Sequence, residues 1–211
     1  MNSFWENSWG SINPNRITEY LNTFNVESDD LIDILHLNHV HSVCDAGCGC
    51  GIYSLKLAAN GFCVSGFDVS SRAVEISQML LDKASLIAEL KTASILSTGY
   101  IEKQFDCVIS RDVLDHMSKA DAFLAVKELC RIIKDDGIVL FTLDYLDEEY
   151  KTEPHNVNID GDYVYTDGKW KGMIFHPYSQ ETVYEIIPTD VKSEVIDING
   201  GLTVLLRKST D

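Results

Sequence analysis

The sequence predicts an α/β fold in which helices cover both faces of a mostly parallel sheet. Between residues 40 and 143, segments typical of strands alternate with segments of helical periodicity, as in consecutive β-α-β units. A loop with three alternate glycines joins the first of these strands to the first helix, and Asn199-Gly200-Gly201 signals a hairpin near the other end. A parallel sheet closed at one edge by an antiparallel pair accounts for these observations.

The individual elements follow from apolar spacing and from residues that begin or end helices. In the second helix of this region, Ala73, Val74, Ile76 and Leu80 recur at helical spacing, and Ser70 caps the N-terminus. The same criteria predict strands at residues 40–45, 62–68, 86–91, 105–110 and 137–143, and helices at residues 51–59, 71–82 and 118–134.

Two regions lie outside this alternation. Residues 1–37 hold an aromatic arm followed by one or two helices, the last of which Ser28 caps. Residues 145–178 are too long for a simple connection, and turn signals within them flank an aromatic β-hairpin. A helix near residues 179–187 and strands at 191–198 and 202–207 complete the predicted elements.

Composition limits the partners and the compartment. The 211 residues, 45% of them hydrophobic, are enough for one domain with its own core. A formal net charge of −16 repels phosphate backbones and anionic lipids, so we expect neither nucleic acid nor a membrane as partner. The N-terminus does not resemble a signal peptide. The six cysteines include no Cys-x-x-Cys pair, which argues against a metal site and favours reduced thiols in a cytoplasmic protein.

The loop at residues 45–51 is the most informative motif, and it reads Asp-Ala-Gly-Cys-Gly-Cys-Gly. Alternate glycines between a strand and a helix let the backbone approach a ligand closely, and the helix start offers free N–H groups. A dinucleotide-binding loop needs glycine at position 52, where Ile52 stands. The spacing therefore indicates a nucleotide-like cofactor other than a dinucleotide.

Two further motifs follow the loop in order. Asp68 ends the second strand, and residues 105–116 read Phe-Asp-Cys-Val-Ile-Ser-Arg-Asp-Val-Leu-Asp-His. Over residues 40–145 the chain thus resembles the class I S-adenosylmethionine-dependent methyltransferases. The resemblance implies a Rossmann-like three-layer sandwich around a seven-stranded sheet, with S-adenosylmethionine as cofactor. We divide the single domain, residues 1–211, into an N-terminal arm with helices (about 1–37), a cofactor-binding core (about 38–144), a substrate cap (about 145–178) and closing elements (about 179–208).

Two carboxylates suit polar parts of that cofactor. Asp45 can accept a hydrogen bond from the ammonium of the methionine tail, and Asp68 can accept from both ribose hydroxyls. Asp68 could instead be a carboxylate that stabilises a helix N-terminus, and Arg111 could instead form a salt bridge at the surface. Ser94 stands where many relatives carry an acidic residue near the adenine amino group. The predicted cofactor contacts are Trp5, Asp45, Gly47, Cys48, Gly49, Gly51, Asp68, Val69, Ser94, Ile95, Arg111, Asp112 and Val113.

A base is needed only when the methyl acceptor must lose a proton. Imidazole titrates near neutrality, so His116, His155 and His176 are the candidate catalytic residues. His116 could instead have a packing or capping role, and His155 and His176 could instead belong to the small core of the hairpin. The tryptophans of the arm, Trp5 and Trp9, either cover the cofactor or anchor the arm on the core.

These observations predict an S-adenosylmethionine-dependent methyltransferase that modifies a small-molecule acceptor. The acidic composition favours a small or cationic acceptor, and the aromatic hairpin favours one with an apolar or planar part; a peptide side chain stays open. Two other classes remain as alternatives. A NAD(P)-dependent oxidoreductase shares the β-α pattern but is opposed by Ile52, and a catalytically silent S-adenosylmethionine-binding regulator would keep the same sheet. The sequence does not predict the oligomeric state.

Overall fold

The computed structural model describes residues 2–13, 16, 19, 30–198 and 201–208. The helices of the described part are α1 (Asn2–Gly10), α2 (Asp30–Leu37), α3 (Ile52–Ala59), α4 (Ser71–Ala84), α5 (Lys119–Ile132) and α6 (Glu148–Thr152). The strands are β1 (Ser42–Ala46), β2 (Cys63–Asp68), β3 (Glu89–Thr92), β4 (Phe105–Arg111), β5 (Ile133–Leu143), β6 (His155–Val157), β7 (Tyr163–Tyr165), β8 (Ile174–Phe175), β9 (Val191–Ile198) and β10 (Gly201–Lys208). Among the described helices, none combines the length and the apolar character that crossing a membrane requires.

Seven strands form one sheet in the order β3-β2-β1-β4-β5-β10-β9. Strands β1 to β5 pair in parallel, whereas β10 pairs antiparallel with both of its neighbours. Strand β9 consequently runs in the same direction as β5, and β10 alone runs against the rest. The predicted fold class, a mostly parallel seven-stranded sheet with an antiparallel C-terminal hairpin at its edge, is confirmed.

The central strands are buried on both faces, which is why their sequences are apolar rather than alternating. Val43 and Ile109 pack with helices α2 and α3, whereas their chain neighbours Cys44 and Val108 pack with α5 on the opposite face. Helix α4 packs against α3 through its own apolar stripe. The three layers leave the carboxyl ends of β1, β2 and β4 as the edge at which the loops meet.

The structure departs from the predicted elements in several places. Strand β5 begins at Ile133, so residues 133–134 are not the end of the preceding helix, and α6 lies in the segment predicted to hold only turns and a hairpin. The segment near residues 179–187 forms only a short 3₁₀ helix, Val183–Ile186, because Ser179 and Thr182 close a local turn and Pro188 follows. The aromatic segment is a three-stranded sheet in the order β6-β7-β8 rather than a two-stranded hairpin. The proposed cap of the second helix at Ser28 and the turn at residues 199–200 lie outside the described residues.

Candidate active site

A cavity of about 520 Å³ lies at the carboxyl ends of β1, β2 and β4, the edge at which open α/β sheets bind ligands. We call it the strand-end cavity. Of the predicted cofactor residues, all except Gly51 line it. The lining contains Trp5, Trp9, Asp45, Gly47, Cys48, Gly49, Cys50, Ile52, Tyr53, Phe67, Asp68, Val69, Ala93, Ser94, Ile95, Leu96, Arg111, Asp112, Val113, His116, Met117 and Asp121.

The glycine loop forms the floor of this cavity. Gly49 has a φ of +52°, and a Cβ there would lie 2.9 Å from the Trp9 ring. A side chain at this position would therefore be strained and would fill the space between loop and arm. Gly51 serves a different purpose, because its missing side chain leaves room for Ser77 of α4. The third glycine of the loop thus permits helix packing, which its spacing in the sequence does not reveal.

Asp68 connects the loop, the cavity and a helix start. Its Oδ2 accepts a hydrogen bond from the Gly49 backbone N–H at 2.9 Å, and its Oδ1 accepts from the Ser70 N–H at 2.9 Å. The helix N-terminus contact of the competing interpretation is therefore present. Each carboxylate oxygen can accept a second hydrogen bond, so both remain able to receive a ligand hydroxyl. Burial raises the pKa of Asp68, and the backbone N–H donors oppose that shift.

Asp45 is a buried carboxylate at the end of β1. Ser54 Oγ, in the first turns of α3, donates to its Oδ2 at 2.6 Å. Burial raises the pKa of Asp45 to about 6, and the Ser54 hydrogen bond limits the rise. A carboxylate held in this way gains from a cationic ligand group, which would replace the lost hydration.

Arg111 supplies the cationic side chain of the strand-end cavity. Its guanidinium lies 4.7 Å from the centre of the Tyr53 ring, and its Nε is buried without a hydrogen-bond partner among the described residues. It makes no salt bridge within that part of the chain, contrary to the competing interpretation. The next residue, Asp112, has a φ of +53° and accepts from Thr142 Oγ1 at 2.5 Å. This bond fixes the loop after β4 to the end of β5.

The loop after β3 completes the cavity on its other side. Ser94 Oγ accepts from the Leu96 N–H at 3.2 Å, and Ile95 is buried beside it. The hydroxyl proton of Ser94 remains available as a donor. Val69 and Val113 supply apolar walls near the two carboxylates.

Helix α1 covers the strand-end cavity. Trp5 and Trp9 are four residues apart, hence on one face of the helix, and both line the cavity. Glu6 accepts hydrogen bonds from the hydroxyls of Ser70 and Ser71 at 2.7 and 2.9 Å, which tie α1 to the start of α4. These hydrogen bonds lower the pKa of Glu6. Trp9 is missing from the predicted cofactor contacts, although its i+4 spacing from Trp5 indicates that both rings share one helix face.

Of the three candidate catalytic histidines, the structure brings only His116 to the strand-end cavity. Its ring contacts Trp5 edge to face, with centroids 5.1 Å apart. Burial lowers the pKa of His116 to about 4, although the Asp144 and Asp112 carboxylates favour the charged form. The ring is therefore neutral near pH 7. Nδ1 is buried without a partner among the described residues, which leaves Nε2 for a ligand.

His155 and His176 lie away from the strand-end cavity and serve the packing of the cap. His176 is buried, and its Nδ1 lies 2.8 Å from Asp162 Oδ1. His155 Nδ1 lies 2.7 Å from the Glu153 carbonyl, and its ring stacks on Tyr163. Neither residue lines the cavities beside His116. We therefore retain His116 alone as a candidate base.

A second cavity of about 660 Å³ lies between α1 and the cap segment. We call it the cap cavity. Trp5 and His116 line both cavities and so form the wall that they share. The cap cavity is lined by Ser3, Phe4, Trp5, Asn7, Ser8, Ser11, His116, Tyr150, Gly168, Lys169, Trp170, Lys171 and Met173.

The glycine loop, the two strand-end carboxylates and the covering helix define a nucleotide-cofactor site on a Rossmann-like sheet. Residues 44–141 match the family model of the methyltransferase domain. Together with the sheet order, this match supports a methyltransferase domain of the class I S-adenosylmethionine-dependent type, with S-adenosylmethionine as the implied cofactor.

The chain is similar to several known proteins. It is 34% identical over 101 residues to the putative methyltransferase YqeM of Bacillus subtilis, a match that covers 47% of this chain and 40% of that protein. It is 26% identical over 179 residues to the ubiquinone biosynthesis O-methyltransferase of Rickettsia typhi, covering 82% and 69%. A SAM-dependent methyltransferase from Methanosarcina mazei has the same fold, with a TM-score of 0.71 and 20% identity over 84% of this chain and 98% of that one. The chain spans less than half the length of the first curated relatives that it matches.

Proposed function

We propose that this protein is an S-adenosylmethionine-dependent methyltransferase that acts on a small-molecule acceptor. The observation that carries the proposal is the strand-end cavity, in which the glycine loop, two buried carboxylates and one arginine surround a space of about 520 Å³. That volume lies within the range of about 300–1,000 Å³ that is usual for small-molecule sites. The six unpaired cysteines support a cytoplasmic, reducing location for the enzyme.

The side chains of the strand-end cavity fit the cofactor by charge. Asp45 would hold the ammonium of the methionine tail, and Arg111, with its unpartnered Nε, would hold the carboxylate. Asp68 would hold the ribose hydroxyls, because both of its oxygens are fixed by backbone N–H groups and retain free lone pairs. Ser94 and Ile95 would face the adenine. Charged side chains are thus available for both ends of the methionine tail and for the ribose.

The chemistry divides between the cofactor and the chain. When bound, S-adenosylmethionine supplies a methyl group already activated by a sulfonium leaving group, so the protein contributes alignment and exclusion of water. Helix α1 excludes water by laying Trp5 and Trp9 over the loop. The neutral His116 ring can accept the proton of an acceptor hydroxyl, and the nearby Asp144 carboxylate would stabilise the imidazolium that forms.

The acceptor is proposed to be small because the space beside Trp5 and His116 is bounded by α1 and by the cap. Some relatives are named for small acceptors, among them ubiquinone biosynthesis O-methyltransferases and a magnesium protoporphyrin IX methyltransferase. These names support the class of acceptor and leave its identity open.

Binding of S-adenosylhomocysteine and of NAD, measured by isothermal titration calorimetry, tests the cofactor. We expect the first to bind and the second not to bind, and Asp68→Ala to abolish most of the affinity while the exposed-turn control Asp167→Ala does not. Binding of NAD without S-adenosylhomocysteine would refute the proposal in favour of an oxidoreductase. Transfer of labelled methyl to a metabolite extract separates an enzyme from a silent binder, since the latter gives no labelled product.

A further inference from the structure

The cap cavity is placed to receive the second ligand of the reaction. It meets the strand-end cavity at Trp5 and His116, and it is otherwise built from α1, the following Ser11 and the cap. A molecule in the cap cavity would therefore touch a molecule in the strand-end cavity only across this shared wall. Nothing in the strand-end site requires the cap cavity, so its shape and charge report on a different ligand.

The walls of the cap cavity are suited to a flat, unsaturated molecule. Four aromatic side chains and one methionine line it: Phe4, Trp5, Tyr150, Trp170 and Met173. Neighbouring rings hold these side chains in place. The Tyr150 ring stacks on Phe175 with centroids 4.3 Å apart and lies 4.5 Å from the Trp170 ring. Ring faces fixed in this way favour aromatic ligands over aliphatic ones of similar size.

The side chains that line the cap cavity differ in charge from the chain as a whole. The chain has 33 acidic and 17 basic residues, yet the described lining contains two lysines and no carboxylate. Lys169 is already engaged, since it pairs with Glu149 and lies 4.2 Å from the centre of the Trp170 ring. Lys171 is exposed and makes no ion pair with any residue that the structure describes. The cavity thus offers one uncommitted cation, Lys171, for an anionic substituent. At Tyr150 the balance differs, because burial and the Asp144, Asp115 and Asp147 carboxylates raise the pKa of that hydroxyl.

His116 indicates the reactive group. Its Nδ1 is buried without a partner in the described part of the chain, so Nε2 is the nitrogen that a ligand can reach from either cavity. In the tautomer that carries its hydrogen on Nδ1, Nε2 accepts a hydrogen bond, and a hydroxyl is the acceptor group that would donate one. A carboxylate oxygen or a soft sulfur nucleophile would not need a base at this position.

We propose that the cap cavity binds the methyl acceptor, and that the acceptor is a planar aromatic compound with a hydroxyl at His116 and an anionic substituent at Lys171. This inference rests on the proposed function, because only a methyltransferase has a methyl acceptor, and it deepens that function by naming the class of substrate. It also replaces the cationic acceptor that the overall charge of the chain favours, because the local lining and not the average charge meets the ligand.

The three tryptophans of the chain make the test direct, since each lies at a different position relative to the two cavities. Trp9 lines only the strand-end cavity, Trp170 only the cap cavity, and Trp5 both. Protein labelled with 5-fluorotryptophan would give one ¹⁹F NMR signal for each, assigned with Trp9→Phe and Trp170→Phe. S-adenosylhomocysteine should shift the signals of Trp9 and Trp5, and an acceptor analogue those of Trp170 and Trp5.

The probes are 3,4-dihydroxybenzoate, catechol and 3,4-dihydroxybenzylamine, titrated with S-adenosylhomocysteine present. We expect the carboxylate to bind most tightly and the amine least. Lys171→Gln should weaken the carboxylate about three- to fivefold, the scale of an exposed charge contact, and leave catechol unchanged. Lys192→Gln, on the exposed face of β9, is the matched control and should change neither.

The outcomes separate the two proposals. If S-adenosylhomocysteine shifts Trp9 but none of the three aromatic probes shifts Trp170, the inference is overturned and the proposed function stands. Tighter binding of the amine than of the carboxylate also overturns the inference. If S-adenosylhomocysteine shifts neither Trp9 nor Trp5, the proposed function fails and the inference falls with it.

Discussion

The buried carboxylate of Asp45 should make cofactor affinity depend on pH in a way that one substitution removes. The perturbations are a change from pH 7.5 to pH 5.0 and the replacement Asp45→Asn. The amide keeps the size of the side chain and an oxygen for the Ser54 hydroxyl, which donates at 2.6 Å in the structure, but it cannot carry a charge. The two perturbations therefore remove the same charge by different routes.

The magnitude follows from the pKa of this group. Burial raises it from 3.8 to about 6, and a difference of this size corresponds to about 3 kcal/mol between the two protonation states. Because the pKa is higher in the folded chain than in the unfolded chain, the folded state binds the proton more tightly between pH 4 and 6. The contribution of Asp45 to stability therefore falls as pH rises through this window, and the fold bears the full cost above it.

A bound cofactor should offset this destabilisation, because its ammonium would lie against the Asp45 carboxylate. At pH 5.0 about nine in ten molecules would carry a protonated Asp45, so S-adenosylhomocysteine should bind about tenfold more weakly than at pH 7.5. Asp45→Asn should bind weakly at both pH values, with a ratio closer to one. A ratio that remains in this variant reports other titrating groups, among them Asp68 of the same cavity, whose pKa is also raised. Calorimetric titration at the two pH values measures both ratios.

The free energy of unfolding provides an independent check, because Asp45→Asn should stabilise the fold while it weakens cofactor binding. Without ligand, Asp45→Asn should raise the free energy of unfolding at pH 7.5, by at most about 3 kcal/mol, and the gain should shrink towards pH 4. Asp106→Asn is the matched control. Its carboxylate pairs with Lys134 and accepts from backbone N–H groups, and its pKa is lowered to about 2, so this variant should lose stability at pH 7.5. A less stable Asp45→Asn protein, or a wild-type pH ratio in that variant, would refute the reasoning.

The remaining predictions concern the loop, the covering helix and the proposed base. Gly49→Ala should weaken S-adenosylhomocysteine binding by at least about tenfold. The control is Gly61→Ala, which should share only the backbone strain of about 1 kcal/mol, because the φ of Gly61 is +84° but a Cβ there would meet no atom within 4 Å. Equal affinity in the two variants would contradict the contact between Gly49 and the arm. Asp68→Ala should cost about 1.5–3 kcal/mol of binding in calorimetry, the scale of hydrogen bonds to a charged group, and unchanged affinity in the folded variant would remove its ribose role. Glu6→Gln should release the cofactor faster in stopped-flow fluorescence, because α1 loses charged contacts to the start of α4; an unchanged rate would mean that α1 is held otherwise. His116→Gln should lower kcat about 100-fold with cofactor affinity within twofold, and a kcat that hardly changes would show that no base acts there.

The sequence predicted best what neighbouring residues determine. The loop after β1 and the acid that ends β2 belong to adjacent parallel strands, so their meeting at one edge follows from topology alone. Twelve of the thirteen predicted cofactor contacts line the strand-end cavity, and eleven of them lie at or after the ends of β1 to β4. The twelfth, Trp5, belongs to α1. Gly51 is the exception, since its role depends on how closely α4 approaches α3, and no local pattern encodes that distance.

Residues of the cap could not be placed in the same way. His155 and His176 have the chemistry of a base, but their surroundings come from contacts with Glu153 and Asp162 inside the cap. Which face of a small three-stranded sheet meets the core depends on packing between segments distant in the chain. The cap cavity was equally hidden, because its aromatic residues come from α1 and from residues 150–173, which only the fold brings together.

The two cavities differ in charge in the way that two successive ligands of opposite charge require. The strand-end cavity is lined by Asp45, Asp68, Asp112 and Asp121 with one arginine, an excess of negative charge that suits a sulfonium cofactor. Among the described residues, the lining of the cap cavity includes no acid, and its unpaired Lys171 suits an anionic substituent on the acceptor. The surrounding acidic surface repels such an acceptor at long range, and salt screens this repulsion more than the short contact at Lys171. Association of an anionic acceptor should therefore become faster as ionic strength rises from about 0.01 to 0.15 M, opposite to the trend expected of a cationic one.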